Sequence, residues 1–293
     1  MIGAPVLPLL WRTARADVRL ERPVIAGVLN VTPDSFWDGG RHAGVEAAVR
    51  HAGQMLEDGA DIIDVGGEST RPGARGVAEP EERARVVPVI DAIVARWPDV
   101  PVSIDTVKSD VARAALDAGA AIINDVSALR IDGALAGLAA RTGAGVVLMH
   151  SRGGVEGMAR YELAEYGDDV VGDVLDELSS MTAYARAAGI AGEAIVLDPG
   201  LGFSKRTEHS IAVLAGLPRL AAAGYPLLVG PSRKRFIGEA SGGLPAELRL
   251  EGTLAACVVA LMRGARIFRV HDVAPARRAL DLADAVRRVM PEA

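Results

Sequence analysis

Acceptors and cations close short apolar runs at regular intervals along this chain. The run at 24–31 (VIAGVLNV) closes at Asn30, and that at 61–67 (DIIDVGG) leads into Glu68-Ser69-Thr70-Arg71. The runs at 101–105 (PVSID), 121–126 (AIINDV), 144–150 (AGVVLMH) and 194–200 (AIVLDPG) reach Asp105, Asn124-Asp125, His150 and Asp198. The last two, 226–232 (PLLVGPS) and 265–273 (ARIFRVHDV), bring Ser232-Arg233-Lys234 and then Arg269 and His271. One Asp after a strand is ordinarily a helix cap or a turn residue. Its recurrence after nearly every run is hard to obtain from capping, and predicts a polar site. Asp105, Asn124 and Asp198 supply acceptors, or mixed donor–acceptors, suited to a flat heterocycle with several N–H groups. Lys234, Arg269 and His271 suit an anion: an Arg fork grips phosphate oxygens bidentately, whereas Lys acts as a point charge. One ligand with a planar polar head and an anionic tail meets both sets.

The elements that must hold these groups follow from the spacing. Near-continuous apolar runs are what parallel strands buried on both faces require. Between them lie helix-like segments such as 45–58, stopping at Gly59, and 109–118, with Ser109 as its expected N-cap and Gly119 as its stop. About eight strand–helix pairs result, the number that closes a (β/α)8 TIM barrel. A doubly wound open sheet usually has fewer strands and often a Gly-x-Gly-x-x-Gly turn, which is missing here. In a barrel the loops after the strands converge on the C-terminal mouth, where such enzymes place their active sites. The expected organisation is one barrel over 24–293, preceded by an N-terminal extension, 1–23, that caps its bottom. Within the extension, 11–23 is the segment expected to form a short hairpin.

Composition narrows the class. Hydrophobic residues make up 50% of the 293 but aromatics only 4%, so the core must be built from Ala, Val, Leu and Ile. The net charge of −6 is mild and the signs are interspersed, which argues against nucleic acid as a partner. No apolar stretch reaches the roughly 18 residues of a membrane span. The apolar start, Met1 to Leu10, lacks the basic residues and small-residue cleavage site of a secretion signal. A single cysteine, Cys257, sits in an Ala/Val/Leu stretch and reads as core packing; with no disulfide possible, a reducing cytoplasm is the expected location.

Taken in order, NVTPDSFWDGG (30–40), DVGGESTRPG (64–73), SIDT (103–106), INDV (123–126), LMH (148–150), DPGLGFSK (198–205), GPSRKRFIG (230–238) and RVHDV (269–273) resemble the motif series of dihydropteroate synthases, the pterin-binding TIM-barrel family. The resemblance spans roughly residues 24 to 275. It implies condensation of 7,8-dihydropterin-6-ylmethyl pyrophosphate with p-aminobenzoate, through a dissociative step that leaves a pterin-methylene cation. It implies a pterin pocket at Asp105, Asn124, Asp198 and Lys234, with Asp105, Asp38 and Lys234 as the catalytic set. It also implies a pyrophosphate site at Arg269, His271 and Asn30, with Asn30 as the Mg²⁺ ligand. Thr70, Arg71, Pro72, Phe203 and Ser232 are implied for the p-aminobenzoate side. A homodimer through helices in 246–265 and 274–290 is a further implication.

Three positions depart from the family's usual residues: Trp37, expected to cover the mouth, Pro231, and Arg235, expected to lie near the p-aminobenzoate carboxylate. The loop 151–167 reads as a surface loop. Two alternatives belong to other classes. A barrel that hands a folate methyl group to cobalamin would share the Asp/Asn pocket but need neither Thr70-Arg71 nor the Arg269/His271 pair. A non-catalytic pterin-binding paralogue would lack turnover.

Overall fold

The computed structural model describes residues 9–32, 41–68, 76–155, 157–158 and 160–290. Eight parallel strands form the barrel: β3 (Val24–Asn30), β4 (Ile62–Gly66), β5 (Val102–Asp105), β6 (Ile122–Asp125), β7 (Gly145–Met149), β8 (Ile195–Asp198), β9 (Leu228–Val229) and β10 (Ile267–Val270). From β3 to β8 each pairs with the next in sequence, β9 pairs with β10, and β10 returns to β3. The remaining seam, between β8 and β9, is closed by a parallel bridge of Leu197 with Leu227. All eight expected strands are present.

Alternation along the strands divides the apolar residues between two cores. Ala26, Ile62, Ile122, Val147, Val196, Leu228 and Ile267 pack in the lumen. Their neighbours Ile25, Ile63, Ile123, Val146, Leu197, Val229 and Phe268 belong to the larger core beneath the helices. Side chains that alternate across a closed sheet have only these two destinations. Carrying the lumen parity two residues further brings Asp64, Asn124, Asp198 and Arg269 to the interior above the apolar layer.

The helices that cover the barrel include α1 (Arg41–Glu57), α2 (Glu79–Arg96), α3 (Ser109–Asp117), α4 (Ala134–Thr142) and α5 (Val170–Ala187). They continue with α6 (Thr207–Ala215), α7 (Leu217–Ala221), α8 (Arg235–Ala240), α9 (Leu250–Met262) and α10 (Val273–Val289). Gly59 and Gly119 end α1 and α3 with φ of 99° and 105°. In each case the next N–H reaches back five residues, Ala60 to Met55 and Ala120 to Ala115, and the chain turns straight into a strand. Ser109 is not the cap of α3. It is the first helical residue, and its N–H donates at 2.8 Å to Asp132 Oδ2, so the cap comes from the loop after β6.

The bottom of the barrel is closed by a two-stranded antiparallel hairpin, β1 (Leu10–Trp11) and β2 (Val18–Arg19). Trp11 is 1% exposed and joins the lumen cluster with Val18 and Leu20. Its indole N–H donates at 2.9 Å to the Ala194 carbonyl, which satisfies the one polar atom that burial would strand. Cys257 is buried in the core. No helix among the described residues is long and apolar enough to cross a membrane.

Trp11 therefore fills the narrow end of the lumen. Trp11→Ala is expected to lower the unfolding free energy by about 3–5 kcal/mol, the usual range for removing a buried large aromatic. Urea denaturation at neutral pH measures this, and a loss within error of zero would show that the hairpin contributes nothing to closing the barrel.

Candidate active site

The mouth is assembled by register. Asn30 is level with Gly66, Gly66 with Asp105, and Asp105 with Asn124, so four successive strands bring three polar side chains and one glycine to one height. Gly66 lies between the two polar side chains: a Cβ there would be 3.8 Å from both Asn30 Oδ1 and Asp105 Oδ2, in ordinary contact.

Arg269 is the centre of the charge pattern. Its Nε donates to Asp64 Oδ2 at 2.6 Å and its Nη2 to Asp105 Oδ2 at 2.7 Å. Asn124 Nδ2 lies 3.3 and 3.4 Å from the two Asp64 oxygens. Asp64 was not among the sequence candidates, because it lies within an apolar run rather than at its end. Burial pushes the Asp105 carboxyl up to about 7, against the pull of the Arg269 guanidinium and with the help of the neighbouring Asp64 charge. Asp198 is also raised by burial, with Lys234 opposing, and one of its oxygens accepts the Gly200 N–H at 2.7 Å. Burial lowers the Lys234 ammonium to about 8 despite the attraction of Asp198. Lys234 Nζ donates to the Leu201 carbonyl and sits 4.2 Å from the centre of the Phe203 ring.

Beside this polar floor is an apolar wall. Val107, Val126, Met149 and Met158 are buried together, with Val155 and Phe203 packed against them. Val155 and Met158 belong to 151–167, so that segment is not only a surface loop; it helps to line the mouth. Tyr161 of the same loop stacks beneath Arg235 at 3.5 Å and donates to Glu239 at 2.9 Å.

On the opposite rim, Ser232 Oγ lies 2.9 Å from His271 Nδ1 and accepts the His271 main-chain N–H at 3.2 Å. Arg233 turns away from the mouth. With a φ of 53° it makes a two-pronged pair with Asp272 at 2.8 Å and donates to the carbonyls of Ala246 and Glu247, tying the last two strand loops together.

Three groups expected at the mouth have a supporting geometry instead. Asp125 alternates outward and accepts from the Ser127 N–H, the Ser127 hydroxyl and the Leu129 N–H, each at 2.7 Å, which holds a turn whose Ala128 and Leu129 have positive φ. His150 is fully buried, between Lys205 Nζ at 2.7 Å and Glu177 Oε2 at 3.1 Å. Glu68 accepts the Val77 N–H at 3.1 Å and pairs with Lys108, which also pairs with buried Glu82. Trp37, Asp38, Thr70, Arg71 and Pro72 lie outside the described residues.

Among the described residues no cluster of three His, Cys, Asp or Glu could hold a metal. Asn30 is nevertheless a hard oxygen donor beside Asp105 at the rim. That suits Mg²⁺, which takes few protein oxygens and completes its shell with water and phosphate.

The family model described as pterin binding enzyme matches residues 26–271. Dihydropteroate synthase of Clostridium beijerinckii is 45% identical over 269 residues, which cover 92% of this chain and 96% of that protein. Among solved structures, dihydropteroate synthase of Xanthomonas albilineans with 4-aminobenzoic acid is similar at a TM-score of 0.87 and 46% identity, covering 96% of this chain and all of that one. The same enzyme has been solved in complex with 7,8-dihydropteroate. Dihydropteroate synthase of Yersinia pestis, solved with a sulfonamide drug, is similar at a TM-score of 0.87 and 42% identity, with 96% and 100% covered.

Burial and the Lys205 charge hold the imidazole of His150 down to about 4, from 6.5. The unfolded chain therefore binds this proton first, and His150 lowers stability progressively between pH 6.5 and 4. Asp105, raised to about 7, acts in the opposite sense over much of that range, so the wild-type curve alone is uninformative. The difference between wild type and His150→Gln should change by up to about 3 kcal/mol from pH 6.5 to 4, with the wild type losing more. Parallel curves for the two proteins in pH-dependent urea titrations would mean that the imidazole is charged in the fold.

Proposed function

This chain belongs to the dihydropteroate synthase family of pterin-binding enzymes, and from that premise we propose how its residues carry the family's reaction. The chain is a transferase of folate biosynthesis. It joins 7,8-dihydropterin-6-ylmethyl pyrophosphate to p-aminobenzoate and releases 7,8-dihydropteroate and pyrophosphate. The observation that carries the residue assignment is the cluster of Asp105, Asn124 and Asp198 beside Arg269 and Lys234. A planar ring rich in N–H donors meets the carboxylates, and its anionic arm meets the cations.

In this reading the amino-pyrimidinone edge donates to Asp198 and Asp105, Asn124 supplies a mixed partner, and Lys234 donates to a ring acceptor. Arg269 and His271, with Ser232 orienting the imidazole, receive the pyrophosphate; the Nη1 corner of Arg269 is not used in its bonds to Asp64 and Asp105. Mg²⁺ held at Asn30 would supply charge neutralisation on the pyrophosphate oxygens. The bond between the pterin methylene and oxygen breaks with its electron pair leaving on pyrophosphate. The Asp105 carboxylate stabilises the resulting cation in a pocket sheltered by Val126, Met149 and Met158. The aniline nitrogen then attacks the methylene carbon and loses a proton. No enzyme nucleophile takes part.

Phe203 packs one face of the aminobenzoate ring. Pro72, Thr70 and Arg71 are assigned to its other side by family motif, as Asp38 is to the first loop; Arg235 is the nearby cation for the carboxylate. A homodimer completes the reading. Helices α9 and α10 leave Val259, Met262, Leu282, Val286 and Val289 exposed, an apolar set suited to a second copy.

The assay is direct. Purified protein with both substrates and Mg²⁺ should release pyrophosphate and dihydropteroate in equal amounts, stop with EDTA and recover when Mg²⁺ is restored. Asp105→Asn should lower kcat/KM on the order of 10²-fold. It should also remove a loss of pterin affinity that the wild type shows as pH falls below about 7, where Asp105 takes up its proton. Pterin binding without either product would favour the methyl-transfer barrel or the silent paralogue. A sulfonamide should raise the apparent KM for p-aminobenzoate without changing kcat. Inhibition that p-aminobenzoate cannot overcome would place the drug elsewhere.

A further inference from the structure

Lys205 is 1% exposed, and the assigned substrate contacts do not use it. Its Nζ has three acceptors: His150 Nδ1 at 2.7 Å, the Gly200 carbonyl at 3.2 Å and the Phe203 carbonyl at 3.2 Å. An ammonium has three protons, so these acceptors match the charged lysine, with His150 neutral and its Nε2–H directed to Glu177. The anchor continues outward. Glu177 also accepts from Arg152, whose guanidinium lies 4.0 Å from the centre of the Tyr166 ring. Tyr166 in turn donates to the Ser204 carbonyl at 2.9 Å.

The backbone held by this lysine is in unusual conformations. Ser204 is fully buried with a φ of 47°; its N–H donates to the Met158 carbonyl at 2.6 Å and its hydroxyl accepts the Arg152 N–H at 2.9 Å. Gly200 has a φ of 66°, and a Cβ there would lie 1.9 Å from the His150 carbonyl oxygen. A turn with left-handed residues persists only where its surroundings over-determine it. Lys205 ties both ends of the segment 200–203 to His150, the residue that follows strand β7. That segment carries the Phe203 ring.

We propose that Lys205, oriented through His150 and Glu177, is a positioning residue for the aminobenzoate half of the site: by holding the Phe203 carbonyl it sets the Phe203 ring. The proposal rests on the assignment of Phe203 to that half. Buried charge with every proton used is stiff, and small displacements of a wall that orients a second substrate are costly.

The test is steady-state kinetics on Lys205→Met, which keeps the volume and removes the donors, with Phe203→Ala run beside it and pterin pyrophosphate binding followed by calorimetry. KM for p-aminobenzoate should rise about tenfold to 100-fold in Lys205→Met while kcat and pterin pyrophosphate affinity change by less than about threefold. Equal losses for both substrates, or no change in either, overturn the proposal. A rise in Phe203→Ala without one in Lys205→Met refutes the role of Lys205 alone. No rise in Phe203→Ala removes the assignment on which it stands, and the proposal with it. If Lys205→Met does not fold, Glu177→Gln at the partly exposed end of the chain decides: a smaller rise in the same KM supports the proposal, and an unchanged KM refutes it.

Discussion

Everything at the mouth depends on balancing charge inside a barrel that has little water to screen it. Asp64, Asp105 and Asp198 are carried there by strand alternation, and Arg269, Lys234 and Lys205 approach from the neighbouring side. An unpaired buried carboxylate costs several kcal/mol, so the three acids are tolerable only with the three cations in place. Arg269 carries the largest share, since its planar fork serves two carboxylates at once. A lysine at that position would be a point charge and could not bridge them with fixed geometry. The apolar lumen below, sealed by Trp11, supplies the low dielectric that makes these pairs strong and their separation costly.

That balance explains how one layer serves two kinds of ligand chemistry. The same burial that raises Asp105 to about 7 lowers Lys234 to about 8, so near neutrality neither group is far from changing its charge. Groups poised in this way respond to a ligand's own donors and charge. The apolar wall built from Val126, Met149, Met158 and Phe203 excludes the water that would otherwise compete for them.

Much of this was legible in the sequence because the barrel imposes a period. Mainly apolar runs of five to nine residues gave the strands, and the polar residues at or near their ends gave Asn30, Asp105, Asn124 and Asp198. Asp64 was missed because the eye stops at run ends, although parity contains the signal: Ile62 faces the lumen, so Asp64 and Gly66 do too. The same rule would have turned Asp125 away from the mouth. Other features have no local signal. The cap of α3 comes from Asp132, twenty-three residues from Ser109, and the partner of buried Lys205 is His150, fifty-five residues before it. Arg233 and Lys234 are adjacent in sequence, yet a positive φ at Arg233 sends one to Asp272 and the other to the Leu201 carbonyl. Only the folded path separates their roles.

Arg269 also links the two halves of the ligand site. Its Nη2 is engaged by Asp105, the carboxylate assigned to the pterin ring. A ring that donates to Asp105 shares that acceptor with the guanidinium and so weakens its hold. In the proposed reading the released Nη2 would then join Nη1 in facing the pyrophosphate on the same molecule. In the same reading a pterin lacking the anionic arm would lose the cation's new partner, and free pyrophosphate would meet Nη1 but have to compete with Asp105 for Nη2. On that reading each half would bind better when the other is present, by the reciprocity that any coupling of two binding events obeys. The device requires no moving segment: two carboxylates on strands β4 and β5 and one arginine on β10 whose guanidinium reaches both are sufficient.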